Sequence, residues 1–341
     1  MSNAPLENVR FAVVGCGRIG MRHAETIQGT KRAELVATID SDPQHQGFQG
    51  VPHFISLEEF LATRPAVDVI NIATPNGFHA KQAIEVLNAG YHVLVEKPLA
   101  LTKADAEDVL HTALRKGKRV FTVMQNRYSP PSEWLKEMVD SGRLGTIYMV
   151  QLNCFWNRDD RYYHTGGWHG TKEMDGGTLF TQFSHFVDIL YWAFGDLTHI
   201  QAQLANFNHQ HSIDFEDTGS VSFQLARGGM GTLNYSTSVW DKNLESSLLV
   251  IAEKGSLKIA GQYMNEVEYC HVENYTMPTL LPSNPPNDYG GYKGSAFNHP
   301  YVIQNVIDVL CGDGSIGTNA LEGLKVVDII ERIYKSATPK L

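Results

Sequence analysis

"VRFAVVGCGRIGMRHAETI" (9–27) runs an apolar stretch, Val9 to Val14, straight into Gly15-Cys16-Gly17-Arg18-Ile19-Gly20 and then into a segment with helical spacing. Strand, glycine turn and helix in that order open a dinucleotide-binding βαβ unit. Gly15 permits the tight turn, Gly17 lets a pyrophosphate reach the backbone, and Gly20 lets helix and strand pack closely. Arg18 and Ile19 stand where the helix N-terminus faces negative charge. The motif alone is weak, but the next apolar run, "ELVATID" (34–40), ends in Asp40. That acid lies about 20 residues past the glycines, where a carboxylate binds the adenosine ribose hydroxyls and repels a 2'-phosphate. NAD is expected over NADP, with Ser41 softening the preference; the alternative for Asp40 is a plain strand-end turn residue.

Alternation continues through the first 124 residues. Capping boxes at Ser56–Glu59 and Thr102–Asp105 start helices, and another helix closes near Gly90; "VDVINIA", "YHVLVEKP" and "RVFTVM" read as strands. This order predicts a parallel, doubly wound sheet, with ligands bound beyond the carboxyl ends of its strands. Thr74, Pro75, Asn76 and His79 of "TPNGFH", then Glu96 and Lys97 of "EKP", and Gln125 after the last strand, fall at such ends. A lysine there can hold a cofactor ribose and a substrate hydroxyl, and a nearby cationic ring lowers its pKa. Pro98 restricts Lys97 to extended backbone and allows a cis bond.

From Gly145 the pattern changes to alternating runs such as "GTIYMVQLNCFW" and "TGSVSFQLA" with glycine turns between several of them. The expected architecture is an α/β Rossmann domain over 1–124 and an α+β domain over 125–341 with a large, mostly antiparallel open sheet. Such a sheet needs a cover and can pair subunits, so a homodimer or homotetramer is expected. The amphipathic "ALEGLKVVDIIERIYKSA" packs back on the body. Two loops read as substrate contacts. Residues 155–177 carry Arg158, Arg161, Tyr163, His164, Trp168, His169 and Lys172, suited to flat rings and to phosphate or carboxylate; residues 281–300 carry Tyr292. A surface cover or an oligomer contact is the alternative for both.

The chain has 341 residues, 43% apolar and 19% charged, with a net charge of −9 and no basic run, which disfavours nucleic acid and anionic membranes and favours a small-molecule ligand. Its four cysteines are scattered without a CxxC pair, as in a reduced, cytoplasmic protein. No uninterrupted run of about 18 apolar residues and no signal-peptide pattern occurs, so the cytoplasm is expected. "MSNAPLEN" reads as a flexible lead-in. His164, His169 and Asp175 lack compact ligand spacing, so no metal is expected, and no Gly-x-Ser-x-Gly elbow points to a hydrolase.

"TLFTQFSHFVDILYW" (178–192) reads as one buried helix with a polar stripe: at about 100° per residue, Thr181, Ser184, His185 and Asp188 share a face. Together with the glycine motif, "TPNGFH" and Glu96-Lys97-Pro98, the segment "DGGTLFTQFSHFVD" (175–188) resembles the glucose-fructose oxidoreductase, inositol dehydrogenase and rhizopine-catabolism family (Gfo/Idh/MocA). The resemblance implies an NAD-dependent oxidoreductase in which Lys97 and His185 face the substrate beside the nicotinamide. The family carries an Asp where this chain has Thr181; without it His185 is expected near the ordinary imidazole pKa of about 6.5, with Asp188 as the group that orients it or ties the helix to backbone. "QNRYSPP", "GGWHGTKEMDGGTLF" and "NPPNDYGGYKGS" resemble a branch that acts on UDP-linked N-acetyl amino sugars in surface polysaccharide biosynthesis. The implied reaction is oxidation of a ring hydroxyl, at C3, of such a sugar or its uronic acid. Arg161, Tyr163, Trp168, Thr181 and Tyr292 are the expected substrate contacts beside Lys97 and His185. A dehydrogenase of a free sugar or inositol, an NAD-assisted glycosidase, and a non-catalytic sugar or NAD sensor are the alternatives.

Overall fold

The computed structural model describes residues 6–163 and 167–337. They fall into two compact units, one of described residues up to 124 with 299–327, the other of described residues from 125 to 298 with those from 328 on. The division expected from sequence places 299–327 in the second domain; the structure packs them with the first. The reason is the helix His299–Leu310, which buries His299, Val302, Ile303, Val306 and Ile307.

Unit 1 follows the expected alternation: β1 (Val9–Val14), α1 (Arg18–Gly29), β2 (Ala33–Ile39), β3 (His53–Phe54), α2 (Leu57–Ala62), β4 (Val69–Ile72), α3 (His79–Ala89), β5 (His92–Val95), α4 (Lys103–Lys116) and β6 (Val120–Thr122). The strands form one parallel sheet in the order β3-β2-β1-β4-β5-β6. The order reverses between β1 and β4, which opens the crevice where a doubly wound sheet takes its ligand. Both capping boxes form: the hydroxyl of Ser56 accepts from Glu59 N–H and that of Thr102 from Asp105 N–H, each at 3.1 Å. α3 ends at Gly90, whose φ of +94° sets the left-handed stop.

Unit 2 starts with a 3-10 turn (125–128) and α5 (Pro130–Asp140), followed by β7 (Ile147–Phe155), α6 (Ser184–Phe194), β8 (Leu197–Ala205), β9 (Thr218–Leu225), β10 (Met230–Ser236), β11 (Glu245–Ala252), β12 (Gly255–Ala260) and β13 (Glu266–Val272). These strands form a seven-stranded sheet, β13-β12-β11-β7-β10-β9-β8, antiparallel except for the β7–β10 pair. α5 packs on β12 and α6 on β7, and Val150, Leu152, Leu248 and Leu257 of the sheet are buried. On the opposite face Met149, Met230 and Ile251 stand in register across three strands and are exposed. The stretch 281–300, expected as a loop, holds the hairpin β14 (Pro286–Asp288) and β15 (Lys293–Ala296), pinned where Asn287 Nδ2 donates to Ser295 O at 2.9 Å. α7 (His299–Leu310) and α8 (Ala320–Ser336) complete the chain; no described helix is long and apolar enough to cross a membrane.

Glu216, before β9, is buried where the hydroxyls of Tyr235 and Tyr334 donate to its Oε1 at 2.9 and 2.8 Å. Burial pushes its carboxyl up to about 7; the two tyrosines offset this only in part, and nearby Asp175 adds to the rise. A carboxyl with a higher pKa folded than unfolded binds more protons in the native state, so stability falls as pH rises between 4.5 and about 7. Glu216→Gln should remove a decline of about 1.4 kcal/mol per pH unit across that window, read by urea denaturation from pH 5 to 8. An unchanged slope would show that Glu216 stays ionised in the fold.

Candidate active site

In unit 1 the expected cofactor residues gather at the carboxyl edge of the sheet. Gly15 follows β1 at φ +91°, and a Cβ there would stand 2.6 Å from Ala73 O, in the turn after β4. A Cβ on Gly20 would lie 1.6 Å from Gly15 O, so α1 can approach β1 only with glycine at that point. Gly17 has open space around its Cβ position, as a pyrophosphate against the backbone requires. Arg18 is exposed and Ile19 half-buried beside it. Asp40 ends the β2 segment and draws three donors: Cys16 N–H at 2.6 Å, His45 Nδ1 at 2.9 Å and Asp42 N–H at 2.9 Å. Burial opposes its charge, but these hydrogen bonds outweigh burial and hold the carboxyl below the ordinary range. A carboxylate held charged at that edge fits the adenosine ribose of a dinucleotide. The Cys16 thiol, by contrast, is pushed up to about 11 by burial and by Asp40 and stays protonated.

Thr74, Pro75 and Asn76 form the turn after β4, and His79 opens α3. The His79 ring is buried, with Nδ1 2.7 Å from Pro98 O and Nε2 2.8 Å from Thr74 O. It clamps the two turns together, and burial lowers its pKa. Glu96 follows β5; its Oε1 meets His23 Nε2 at 2.9 Å and His299 Nε2 at 3.4 Å, and its Oε2 accepts the Lys97 N–H at 3.1 Å. Burial opposes its charge, yet the two imidazoles hold it well below the usual range. His23, Glu96 and His299 are also the described group whose atoms stand close enough for a metal, within 4.8 Å; sequence reasoning considered His164, His169 and Asp175 instead. His164 lies outside the described residues. Lys97 is half-buried, and its bond to Pro98 is cis.

In unit 2 the segment read as one helix is two. Leu179–Phe183 form a π-helical turn and α6 begins at Ser184. The i→i+5 turn is wider, so the polar stripe breaks at Phe183: His185 and Asp188 share a face of α6, and Thr181 belongs to the preceding turn. Its hydroxyl donates to the Oδ1 and, at 3.0 Å, to the main-chain oxygen of buried Asp175. Asp188 is fully buried and bound bidentately by Arg127, with Nε and an Nη at 2.7 and 2.6 Å from its two oxygens. That pair bolts α6 to the 125–128 turn, which carries Gln125; sequence reasoning left Asp188 open and missed Arg127, whose signal was an arginine inside "QNRYSPP".

The two loops bring aromatic rings together. Tyr162, Tyr163 and Ile213 form a buried cluster against which Tyr292 packs. The half-buried Trp168 lies against His169, ring centroids 3.8 Å apart, and Tyr162 Oη is 2.9 Å from His169 Nδ1. Arg158, 2% exposed, sits over Trp156 and Tyr292 and donates to Gln182 Oε1, Asn157 O, Asn243 Oδ1 and Lys293 O. All four partners are neutral, so among the described residues this buried positive charge has no counter-ion. Arg161 and Lys172 are exposed; Arg161 is held by Asp159 at 2.7 Å.

Two family models match this chain. One, described as oxidoreductase family, NAD-binding Rossmann fold, covers residues 9–124; the other, the GFO/IDH/MocA C-terminal domain, covers 133–258. D-glucoside 3-dehydrogenase of Escherichia coli is 30% identical, across 99% of this chain and 97% of its own. The WlbA dehydrogenase from Bordetella pertussis, solved with NADH and UDP-GlcNAcA, is 35% identical with a TM-score of 0.85, covering 97% of this chain and 96% of that one. WlbA from Chromobacterium violaceum, solved with the same ligands, is 34% identical with a TM-score of 0.87, covering 98% and 95%.

Thr181→Asp would set a second carboxylate against buried Asp175, and two such groups cannot both ionise in one site. We expect a loss of roughly 2 kcal/mol or more at pH 8 that shrinks at pH 5, where the pair shares a proton, read by urea denaturation. Wild-type stability at pH 8 would contradict the Thr181–Asp175 contact.

Proposed function

The chain belongs to the Gfo/Idh/MocA oxidoreductase family, and from that premise we propose that it is an NAD-dependent dehydrogenase of a nucleotide-linked N-acetyl amino sugar or its uronic acid. The observation that carries this reading is the likeness, over 97 to 98% of the chain at 34 to 35% identity, to two dehydrogenases solved with NADH and UDP-GlcNAcA. NAD, when bound, supplies the hydride acceptor. The charged Asp40 carboxylate and the open backbone at Gly17 suit its ribose and pyrophosphate, with Thr74, Pro75 and Asn76 on the same edge. Glu96 fixes the backbone of Lys97, and the Arg127–Asp188 pair fixes the helix of His185. Lys97 and His185 are each a candidate for the group that takes the proton of the reacting hydroxyl as the C–H bond breaks. Arg158 gives the loop region a buried positive charge whose described partners are all neutral, which favours a substrate carrying a carboxylate or pyrophosphate. Tyr163, Trp168 and Tyr292 supply flat apolar surface for a ring.

The 30% identity to a D-glucoside 3-dehydrogenase across nearly the whole chain favours C3 as the oxidised position, and keeps a simple glucoside as the second substrate reading. A cytoplasmic homo-oligomer is part of the proposal, with the exposed row of Met149, Met230 and Ile251 on the open sheet face as the subunit contact. A place in surface polysaccharide synthesis is part of the same proposal.

The test is absorbance at 340 nm with NAD and UDP-N-acetylglucosaminuronic acid, UDP-N-acetylglucosamine or a methyl glucoside. The nucleotide sugars should turn over with the highest kcat/KM. His185→Asn and Lys97→Met should each lower kcat by about 10² to 10⁴ with NAD affinity retained. Intact turnover in both variants would remove these residues from the chemistry, and turnover of the glucoside alone would replace the substrate class.

A further inference from the structure

A carboxylate offers about four lone-pair positions, two on each oxygen. At Asp40, just past β2, three donors already occupy them. Oδ2 accepts Cys16 N–H at 2.6 Å and the Nδ1 proton of His45 at 2.9 Å, while Oδ1 accepts Asp42 N–H at 2.9 Å. The position left for a ribose hydroxyl is on Oδ1. The Cys16 and Asp42 donors are main chain, so among the described residues His45 is the side chain that Asp40 binds. Its ring nitrogen thus stands one carboxylate oxygen away from the open position.

The local sequence fixes the ring there. Asp42-Pro43-Gln44-His45 turns back on itself: Asp42 Oδ1 accepts Gln44 N–H at 2.9 Å, and Asp42 O accepts His45 N–H at 3.0 Å. Gly47, two residues on, has a φ of +71°, and a Cβ on it would lie 2.5 Å from both Thr38 Oγ1 and His53 Nδ1. Thr38 and His53 belong to β2 and β3, so the turn is pressed against the sheet with no room to shift. The His45 side chain is nevertheless 39% exposed, against 12% for that of Asp40. A ligand arriving at the acid therefore meets the ring as well. Because an ionised carboxylate only accepts, the ring nitrogen on Asp40 carries the proton.

An acid at this strand end binds the ribose 2′-hydroxyl of NAD and repels the 2′-phosphate of NADP, and a cationic donor nearby is what accommodates that phosphate. Beside Asp40 alone, a 2′-phosphate would meet negative charge and no proton to share. His45 changes this: its Nδ1 proton can leave Oδ2 for a phosphate oxygen, and a protonated ring adds positive charge. We propose that His45 is a specificity residue for the cofactor, whose ring N–H, held on Asp40 beside the ribose 2′ position, tempers the exclusion of NADP while NAD stays preferred. NAD itself does not depend on the ring, because its 2′-hydroxyl goes to the open position on Oδ1. The assignment concerns the cofactor alone and stands apart from the identity of the sugar.

The test is the Kd of NADH and of NADPH, read from the fluorescence of the reduced nicotinamide on binding, for wild type, His45→Leu and His45→Asn. Leucine removes the donor, whereas asparagine returns an amide N–H to the place of Nδ1. His45→Leu should keep NADH affinity within about 3-fold and raise the ratio of NADPH to NADH Kd by about 10-fold, the loss of one charge-assisted hydrogen bond. His45→Asn should hold that ratio within about 3-fold of wild type. A ratio unmoved by leucine overturns the assignment and leaves His45 a surface partner of Asp40. NADH and NADPH weakened equally also overturn it, and make His45 a residue that only orients the acid. A ratio that falls shows the ring to be an obstacle to the phosphate, and a ratio raised equally by leucine and asparagine shows that the N–H has no part; either result overturns it.

Discussion

A carboxylate sealed from solvent organises the second unit. Asp188 is fully buried, and its two oxygens are taken by one guanidinium, Arg127. Such a pair adds little net stability over a well-packed apolar pair, but removing either partner strands the other, at a cost of about 3 to 5 kcal/mol. Its effect is geometric. It ties α6, and with it His185, to the turn that carries Gln125 and Asn126, and it prevents the helix from rotating or sliding to satisfy anything else. The wide π turn ahead of α6 and the Thr181–Asp175 contact are accommodated around that fixed point.

Unit 1 solves the same problem with Glu96. Two imidazoles and the Lys97 N–H occupy its carboxylate, so the strand end that presents Lys97 is held by charge-assisted hydrogen bonds. One of those imidazoles, His299, comes from the start of α7, which binds the distant 299–327 segment into the Rossmann unit. In each unit a candidate side chain, Lys97 or His185, stands near a buried carboxylate that serves position.

Much of this was legible in the sequence because it follows local rules. Strand, glycine turn and helix at 9–27, the two capping boxes, and the change to alternating strands after Gly145 each depend on neighbours within a few residues, and each has the expected form. What escaped depends on partners far apart in the chain. Asp188 meets Arg127 across 61 residues and no periodicity connects them. Placing Thr181 on the His185 stripe assumed a constant turn angle, and the π turn removed it. α7 escaped because its first turn, "NHP", reads as the end of a Pro- and Asn-rich loop, and the hairpin at 286–296 because its strands are three and four residues long.

The proposed function turns on hydride leaving C3 of a nucleotide-linked sugar for NAD. Wild-type protein given NAD and UDP-N-acetylglucosaminuronic acid carrying deuterium only at C3 tests it in one step, with mass spectrometry of both products. The expected products are a reduced cofactor carrying the deuterium and a 3-keto sugar that has lost it. Deuterium retained on the sugar while NADH forms would contradict the assigned position, and an absence of NADH would contradict the reaction itself.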